Sequence, residues 1–439
     1  MIDRFERSDE LCAKAQRLIP GGAHTYSKGA DQSPKRGPKF IARGKGARVW
    51  DVDGNEYVDW AMGLTAVSLG HAYEPVLEAV RAQLLDGANF QCPAPVEVEL
   101  AEHFLSLLPG AEMVKFAKNG STATTAAVKL ARAFTGRSVA AYCSDHGFFS
   151  YDDWYMVKKP NNRGIPPELA AFSDTFRYND LASAEEVFKR HPGRVACVIL
   201  EPMEFDFPQD GFLKKLQDLC RREGAVFIID EMITGFRLGM PGAYPDYGIT
   251  PDLTTWGKGM GNGFSACALA GRRDILRLGG IDHDEERVFL VSTTHGAETH
   301  GLAAALATLK EIQRTDAVRA MKTTGEKVRC LVEEVFRRHG LHEALSVKGH
   351  PAWQLMLFRN AQGQTDDAFK TLFFQEVVKH GLLFRGSFVP TISHGAAELD
   401  QTVRAFDAAC AVYKKALDAG SVQGLLVGDP VKPVFRKFN

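Results

Sequence analysis

Two residues in this chain have the types and spacing to do chemistry together: an aspartate that ends an apolar run and a lysine twenty-eight positions later. The run, residues 225–229, reads AVFII, and Asp230-Glu231 follow it. Lys258 comes directly after Trp256-Gly257 and opens a glycine-studded loop that holds Gly259, Gly261 and Gly263. A short β-branched apolar run has the pattern of a strand buried on both faces of a parallel sheet. In open α/β sheets ligands gather outside the carboxyl ends of strands, where Asp230 would stand.

A buried carboxylate at a strand end and an amine on a nearby loop suit pyridoxal phosphate (PLP). Its aldehyde condenses with an amine, and its ring stays an electron sink only while a carboxylate keeps the ring nitrogen protonated. Taken alone, the pair reads equally as a strand-end turn residue and a solvated loop cation. A second signal lies upstream. Residues 114–117 are strand-like and run into Lys118-Asn119-Gly120-Ser121-Thr122, after which residues 123–136 turn helical and close on Gly136. Free N–H groups, hydroxyls and the helix dipole converge at such a turn and make an anion site, although Ser and Thr also cap helices with no ligand at all.

The elements around these residues alternate. The spacing predicts a helix over 8–18 with Ser8 as N-cap, stopped by Pro20-Gly21-Gly22, then an irregular stretch. Strand-like runs follow at 39–44 and 47–61, the second folded at Asp53-Gly54, so an antiparallel unit is expected there. Helical spacing covers 75–85 and 96–108, and strands are expected at 139–143 and at 195–200, the latter leading into Glu201-Pro202. A helix over 211–223 precedes the Asp230 run, so the middle of the chain is an α/β domain with a mostly parallel sheet flanked by helices. Ser292 to Gly296 precede an alanine-rich helical run at 302–313. From about residue 316 a long amphipathic helix reaches 338, short strands follow (355–358, 382–386), and a last helix covers 398–417.

Composition narrows the function class. Fifty-three basic residues against 54 acidic ones lack the basic excess of a nucleic-acid binder. The eight cysteines contain no C-x-x-C pair, so neither a metal site nor a disulfide framework is expected. No apolar leader or run of eighteen apolar residues occurs, which makes a cytoplasmic protein without membrane association the expectation.

The motifs in order, PGGAHTYSKG, ARVWDVDGNEYVDWA, SLGHAYEPV, FAKNGSTATTAAVKLARAFTGR, CVILEPM, FIIDEMITGFR and PDLTTWGKGMGNGF, resemble the class III (fold type I) aminotransferases, most closely the glutamate-1-semialdehyde aminomutase branch. The resemblance implies a large PLP-binding domain over residues 66–312. A smaller α+β domain would be built from residues 313–439, with the N-terminal arm and strands of residues 1–65. Lys258 would hold the cofactor and shuttle the proton, and Asp230 would pair with the ring nitrogen. Gly120, Ser121 and Thr122 would hold the phosphate. Met232 would pack on one ring face, and Glu201 would set hydrogen bonds near the cofactor. Thr294 would reach the partner subunit's phosphate, so that a homodimer shares its sites.

Departures from the family pattern fall on the ring and the substrate. The usual stacking aromatic is replaced by Asp145, so His146 or Phe148 would cover the ring instead. The branch's carboxylate-binding arginine aligns with Lys28, and a tryptophan aligns with Leu64. Lysine is a point charge without the planar fork of arginine, so a substrate other than glutamate-1-semialdehyde is expected. His24, Tyr26, Lys28, Leu64 and Arg385 are the candidate substrate contacts. The reading is a ping-pong aminotransferase that takes the amino group from a donor, L-glutamate by analogy, to an aldehyde or ketone that is hydroxylated, phosphorylated or sugar-like. The alternatives are a 2,1-aminomutase, a dinucleotide-dependent oxidoreductase and a non-catalytic binding relative. The glycines at 259, 261 and 263 do not match G-x-G-x-x-G, and the intact Lys258 and Asp230 weigh against the last.

Overall fold

The computed structural model describes residues 1–438, which form two compact units, one of residues 1–73 with 319–436 and one of residues 74–318 with 437–438. The second unit is built on a seven-stranded sheet. In spatial order its strands are Met113–Ala117, Cys267–Gly271, Leu253–Trp256, Val226–Asp230, Val195–Leu200, Val139–Cys143 and Ser173–Phe176. Only Cys267–Gly271 runs antiparallel to its neighbours. Every residue of Val139–Cys143, Val195–Leu200 and Val226–Asp230 is buried, as the β-branched runs require of strands covered on both faces. Burying each Val, Ile, Leu or Phe in such a layer contributes about 1.5–3 kcal/mol.

This sheet decides where chemistry can happen. Parallel strands place the ends of Met113–Ala117, Val139–Cys143, Val195–Leu200, Val226–Asp230 and Leu253–Trp256 along one edge, and Asn119, His146, Glu201, Asp230 and Lys258 follow those ends. The helix Gly120–Thr135 packs against several of the strands. It begins three residues before the expected position because the Asn119 side chain accepts the Thr122 N–H and caps it. It stops at Gly136, whose φ of 66° suits glycine.

The strand Leu253–Trp256 escaped the sequence reading, since its LTTW stretch carries two threonines. Both are buried, and the Thr254 hydroxyl donates to the Ala270 carbonyl. Ser173–Phe176 (SDTF) was missed for the same reason, and Cys267–Gly271 (CALAG) because its small residues carry no β-branched run.

The first unit holds two sheets. Ile41–Lys45, Arg48–Asp51 and Glu56–Asp59 form an antiparallel ladder, joined on the last strand by Leu382–Leu383 in parallel. Leu345–His350, Trp353–Phe358 and Ser387–Phe388 form the other. Between Arg48–Asp51 and Glu56–Asp59 the Asp51 carboxylate accepts the Asp53 and Asn55 N–H groups and fixes the turn. Helices Asp367–Lys379 and Ala396–Ala419 close a core of Phe369, Phe373, Phe384, Phe388 and Phe406. The N-terminal helix spans Glu6–Leu18, so Ser8 lies inside it and not at its cap. Its buried hydroxyl instead accepts the Lys39 N–H, a tertiary bond that outweighs the capping preference. Among the described residues no helix is long and apolar enough to cross a membrane, and no group of three or more His, Cys, Asp or Glu could hold a metal ion.

Candidate active site

Asp230 ends its strand 2% exposed. Its Oδ1 accepts the Met232 N–H at 2.9 Å and the Thr255 hydroxyl at 3.0 Å. Both bonds fall on one oxygen, which leaves Oδ2 available to a ring N–H. Burial is the largest influence on this carboxyl and raises its pKa to about 6, against the lowering effect of those two bonds and of Lys258. Glu231, the other half of the acidic pair, has a different role. It accepts the Ala243 and Tyr244 N–H groups at 2.9 and 2.7 Å and the Thr234 hydroxyl, and so folds the loop after Asp230 back on itself.

Lys258 opens the turn Lys258–Gly261 just past the strand Leu253–Trp256, in the left-handed region at φ 44°. Its backbone N–H donates to the Cys267 thiol. Burial lowers its ammonium pKa, with Glu201 and Asp230 pulling the other way. An amine whose charge is penalised by desolvation releases its proton readily, as a nucleophile must.

Glu201 and His146 add two orphaned polar atoms. They are 3% and 2% exposed, and the Glu201 N–H donates to His146 Nδ1 at 3.1 Å. That bond places the proton of the neutral ring on Nε2, and burial holds the ring neutral by lowering its pKa to about 4. His146 Nε2 and Glu201 Oε2 have no hydrogen-bond partner among the described residues. Buried polar atoms are rarely left so, and a polar ligand beside Asp230 and Lys258 would satisfy them. Burial, then the charge of Asp230, pushes the Glu201 carboxyl well above its ordinary range.

The turn at 119–122 has donors for an anion. Thr122 directs both its N–H and its hydroxyl to Asn119 Oδ1. The N–H groups still open at this helix end are those of Gly120 and Ser121. Ser121 Oγ accepts the Tyr151 N–H at 3.1 Å, and its own proton remains to be donated. The Met232 sulfur links this turn to the lysine. A Cβ on Gly120 would lie 3.1 Å from Met232 Sδ, and one on Gly257 would lie 2.7 Å from Sδ and 2.5 Å from Cys267 Sγ. Gly257→Ala is therefore expected to displace Lys258 or Met232 and weaken PLP binding at least tenfold, read by titrating the apoprotein with cofactor; unchanged affinity would mean that this contact does not position the lysine.

Asp145, in the slot of the usual aromatic, is exposed and accepts the Tyr178 N–H at 2.7 Å. Phe148 is 48% exposed and meets the Tyr155 ring edge-on at 5.8 Å. Thr294 is exposed on the segment before the helix Thr299–Arg314, and its carbonyl accepts from Asn89.

The candidate substrate residues lie in the other unit. Lys28, Leu64 and Arg385 line a cavity of about 420 Å³ there, together with His71 and Asp59. His24 and Tyr26 are not among its lining residues, and both are exposed. Arg385 donates to the Ser27 carbonyl at 3.3 Å and to Ser33 Oγ at 2.6 Å, and no carboxylate pairs with it or with Lys28 among the described residues.

Thr255, Glu231 and Cys267 were not singled out as partners by the sequence reading. Thr255 alone carried a signal: it lies three residues before Lys258, where a hydroxyl in an otherwise buried strand needs a partner. The residues along the strand ends fit PLP, with a carboxylate for the ring nitrogen, an amine for the aldehyde, a donor-bearing helix end for the phosphate and orphaned polar atoms beside them.

The family model for class-III aminotransferases matches residues 30–393. A curated relative named glutamate-1-semialdehyde 2,1-aminomutase, from Anaeromyxobacter sp. (strain Fw109-5), is 33% identical and covers 94% of this chain and 100% of its own. Among solved structures, the FumI protein of Sphingopyxis sp. MTA144 in its PLP internal aldimine form superposes with a TM-score of 0.86 at 27% identity, over 94% of this chain and 98% of that one. An omega-transaminase from Sphaerobacter thermophilus gives 0.83 at 26% identity, over 92% and 97%.

Proposed function

This chain belongs to the class-III aminotransferases, enzymes that use PLP, and from that premise we propose that it moves an amino group from a separate donor, L-glutamate by analogy, to an aldehyde or ketone carrying an anionic or hydroxylated group. The observation that carries the acceptor class is the cavity holding Lys28 and Arg385, two cations with no carboxylate partner among the described residues, beside the apolar Leu64. A carboxylate or phosphate on the acceptor would answer both charges.

Bound PLP supplies an aldehyde that captures amines and a ring that takes up electrons from the neighbouring carbon. The protein's own residues do the rest. Lys258 Nζ would hold the cofactor and would give a proton to, or take one from, the substrate carbon. Asp230 Oδ2 keeps the ring nitrogen protonated, while Thr255 and the Met232 N–H hold its Oδ1 in place. Gly120 and Ser121 orient the phosphate with N–H groups and a hydroxyl. Glu201 and His146 offer a carboxyl and an Nε2–H to the remaining polar groups of the site. Thr294 is assigned to the phosphate of a partner subunit, which makes the working enzyme a homodimer.

A second reading, intramolecular transfer as in an aminomutase, has a specific observation behind it. The curated relatives carry that name, and their names favour it over any particular donor and acceptor. Lys28 and Leu64 in place of the branch's arginine and tryptophan favour a separate acceptor. The holoenzyme incubated with glutamate-1-semialdehyde and no amino donor decides between them. The proposal expects no turnover there and activity in a donor and acceptor screen read by mass spectrometry. Donor-free conversion of the semialdehyde would overturn it in favour of the aminomutase.

A further inference from the structure

The cavity wall that carries Lys28 is tied down by a segment about 400 residues away in the chain. The stretch before residue 436 crosses the first unit with turns and bends but no helix or strand. Gln375 and Thr371, both buried on the helix Asp367–Lys379, staple its start. The Gln375 side chain donates to the Leu425 carbonyl at 3.0 Å and accepts the Val427 N–H at 2.8 Å. Thr371 Oγ1 accepts the Val431 N–H at 2.9 Å.

Beyond that point the run reaches the wall itself. The Lys432 N–H donates to the Asp31 carbonyl at 3.1 Å, and Gln32 Nε2 donates to the Lys432 carbonyl at 2.8 Å. Arg436 pairs with the Asp31 carboxylate at 2.7 Å, with about a quarter and a third of the two side chains exposed. From the other side Arg385 holds Ser27 and Ser33. Lys28 therefore sits on a short loop fixed at Ser27, Asp31, Gln32 and Ser33, while no bond among the described residues engages its own ammonium.

We propose that residues 425–436 are a strap whose Arg436–Asp31 pair and Lys432–Gln32 bonds set the position of Lys28, and through it the enzyme's grip on the anionic group of its acceptor. Arg436 and Asp31 are positioning residues and touch no substrate. The inference rests on the proposed role of Lys28, and its two consequences separate. The strap acts on the loop whether or not a substrate is bound, whereas the effect on acceptor affinity needs Lys28 to be a contact.

The test compares the holoenzyme with its Arg436→Ala, Asp31→Asn and Arg436→Lys variants. Amide hydrogen exchange over residues 24–33 is measured alongside kcat and KM for the acceptor found in the screen, with PLP affinity as the control. The expected result for the first two variants is exchange faster by about fivefold, the size one part-buried ion pair can supply, and a similar rise in KM. PLP affinity and kcat stay near normal, and Arg436→Lys recovers most of both effects. Exchange that is unchanged in Arg436→Ala and Asp31→Asn overturns the strap. Faster exchange with unchanged KM keeps the strap's hold on the loop and overturns the acceptor contact assigned to Lys28.

Discussion

Lys258→Ala is expected to abolish amino-group transfer, a loss on the order of 10^5-fold or more, while the protein folds as before. Both halves of that expectation come from the site. Residue 258 is held by backbone bonds, its N–H to the Cys267 thiol and the turn Lys258–Gly261 that it opens, and alanine keeps these. Its left-handed φ of 44° is no more strained for alanine than for lysine. The side chain is held at a desolvated position that lowers its own pKa, a cost to the fold rather than a support. Removing it therefore leaves stability unchanged or raised, and takes away the group that captures the cofactor and moves the proton. Turnover assays with a thermal melt check both points. Substantial activity in a well-folded variant would show that another amine does the work.

Asp230→Asn comes next in size. Losing the ionic partner of a buried cation costs about 3–5 kcal/mol, or between about 10^2 and 10^4 in rate if the loss falls on the chemical step. The amide is nearly isosteric and still accepts from Thr255 and the Met232 N–H through one oxygen, so the strand end keeps its shape. A pH signature accompanies the loss. The Asp230 carboxyl, raised by burial to about 6, loses its charge as pH falls through that value. The sign follows directly: cofactor affinity in the wild-type protein should decline on going below about pH 6, and Asp230→Asn should flatten that decline. Near-normal rates in the variant, with the pH dependence intact, would mean that another carboxylate faces the ring nitrogen.

How much of this was legible in advance differs by residue. The strand Val226–Asp230 could be read because a β-branched run with every position buried has few other homes, and its end fixed the place of Asp230. The helix after Asn119 was legible from its Gly-Ser-Thr opening, but not which donors stay open. Thr122 is closed off by the Asn119 side chain, and only the folded geometry reveals that choice. Glu231 and Asp230 are neighbours of the same type, and chain direction alone does not say which faces the site. The strand's alternation sends one to Thr255 and the other into the loop at Ala243–Tyr244. The strand Leu253–Trp256 hid because its threonines satisfy their hydroxyls inside the sheet, so polarity misled there. Ser8 misled in the same way, since its partner is Lys39, thirty-one residues distant. Contacts made across the fold, such as the Cys267 thiol at Lys258 or the run of residues 425–436 at Asp31, leave no local pattern to read.

The most direct test of the central claim is to add PLP to the purified protein, trap the bound cofactor with borohydride and map the modified peptide by mass spectrometry. The expected result is one modified site, Lys258, and its disappearance in Lys258→Ala. A label on any other lysine, or none on a folded protein saturated with PLP, would contradict the assignment of Lys258 and Asp230 as the cofactor's amine and counter-ion.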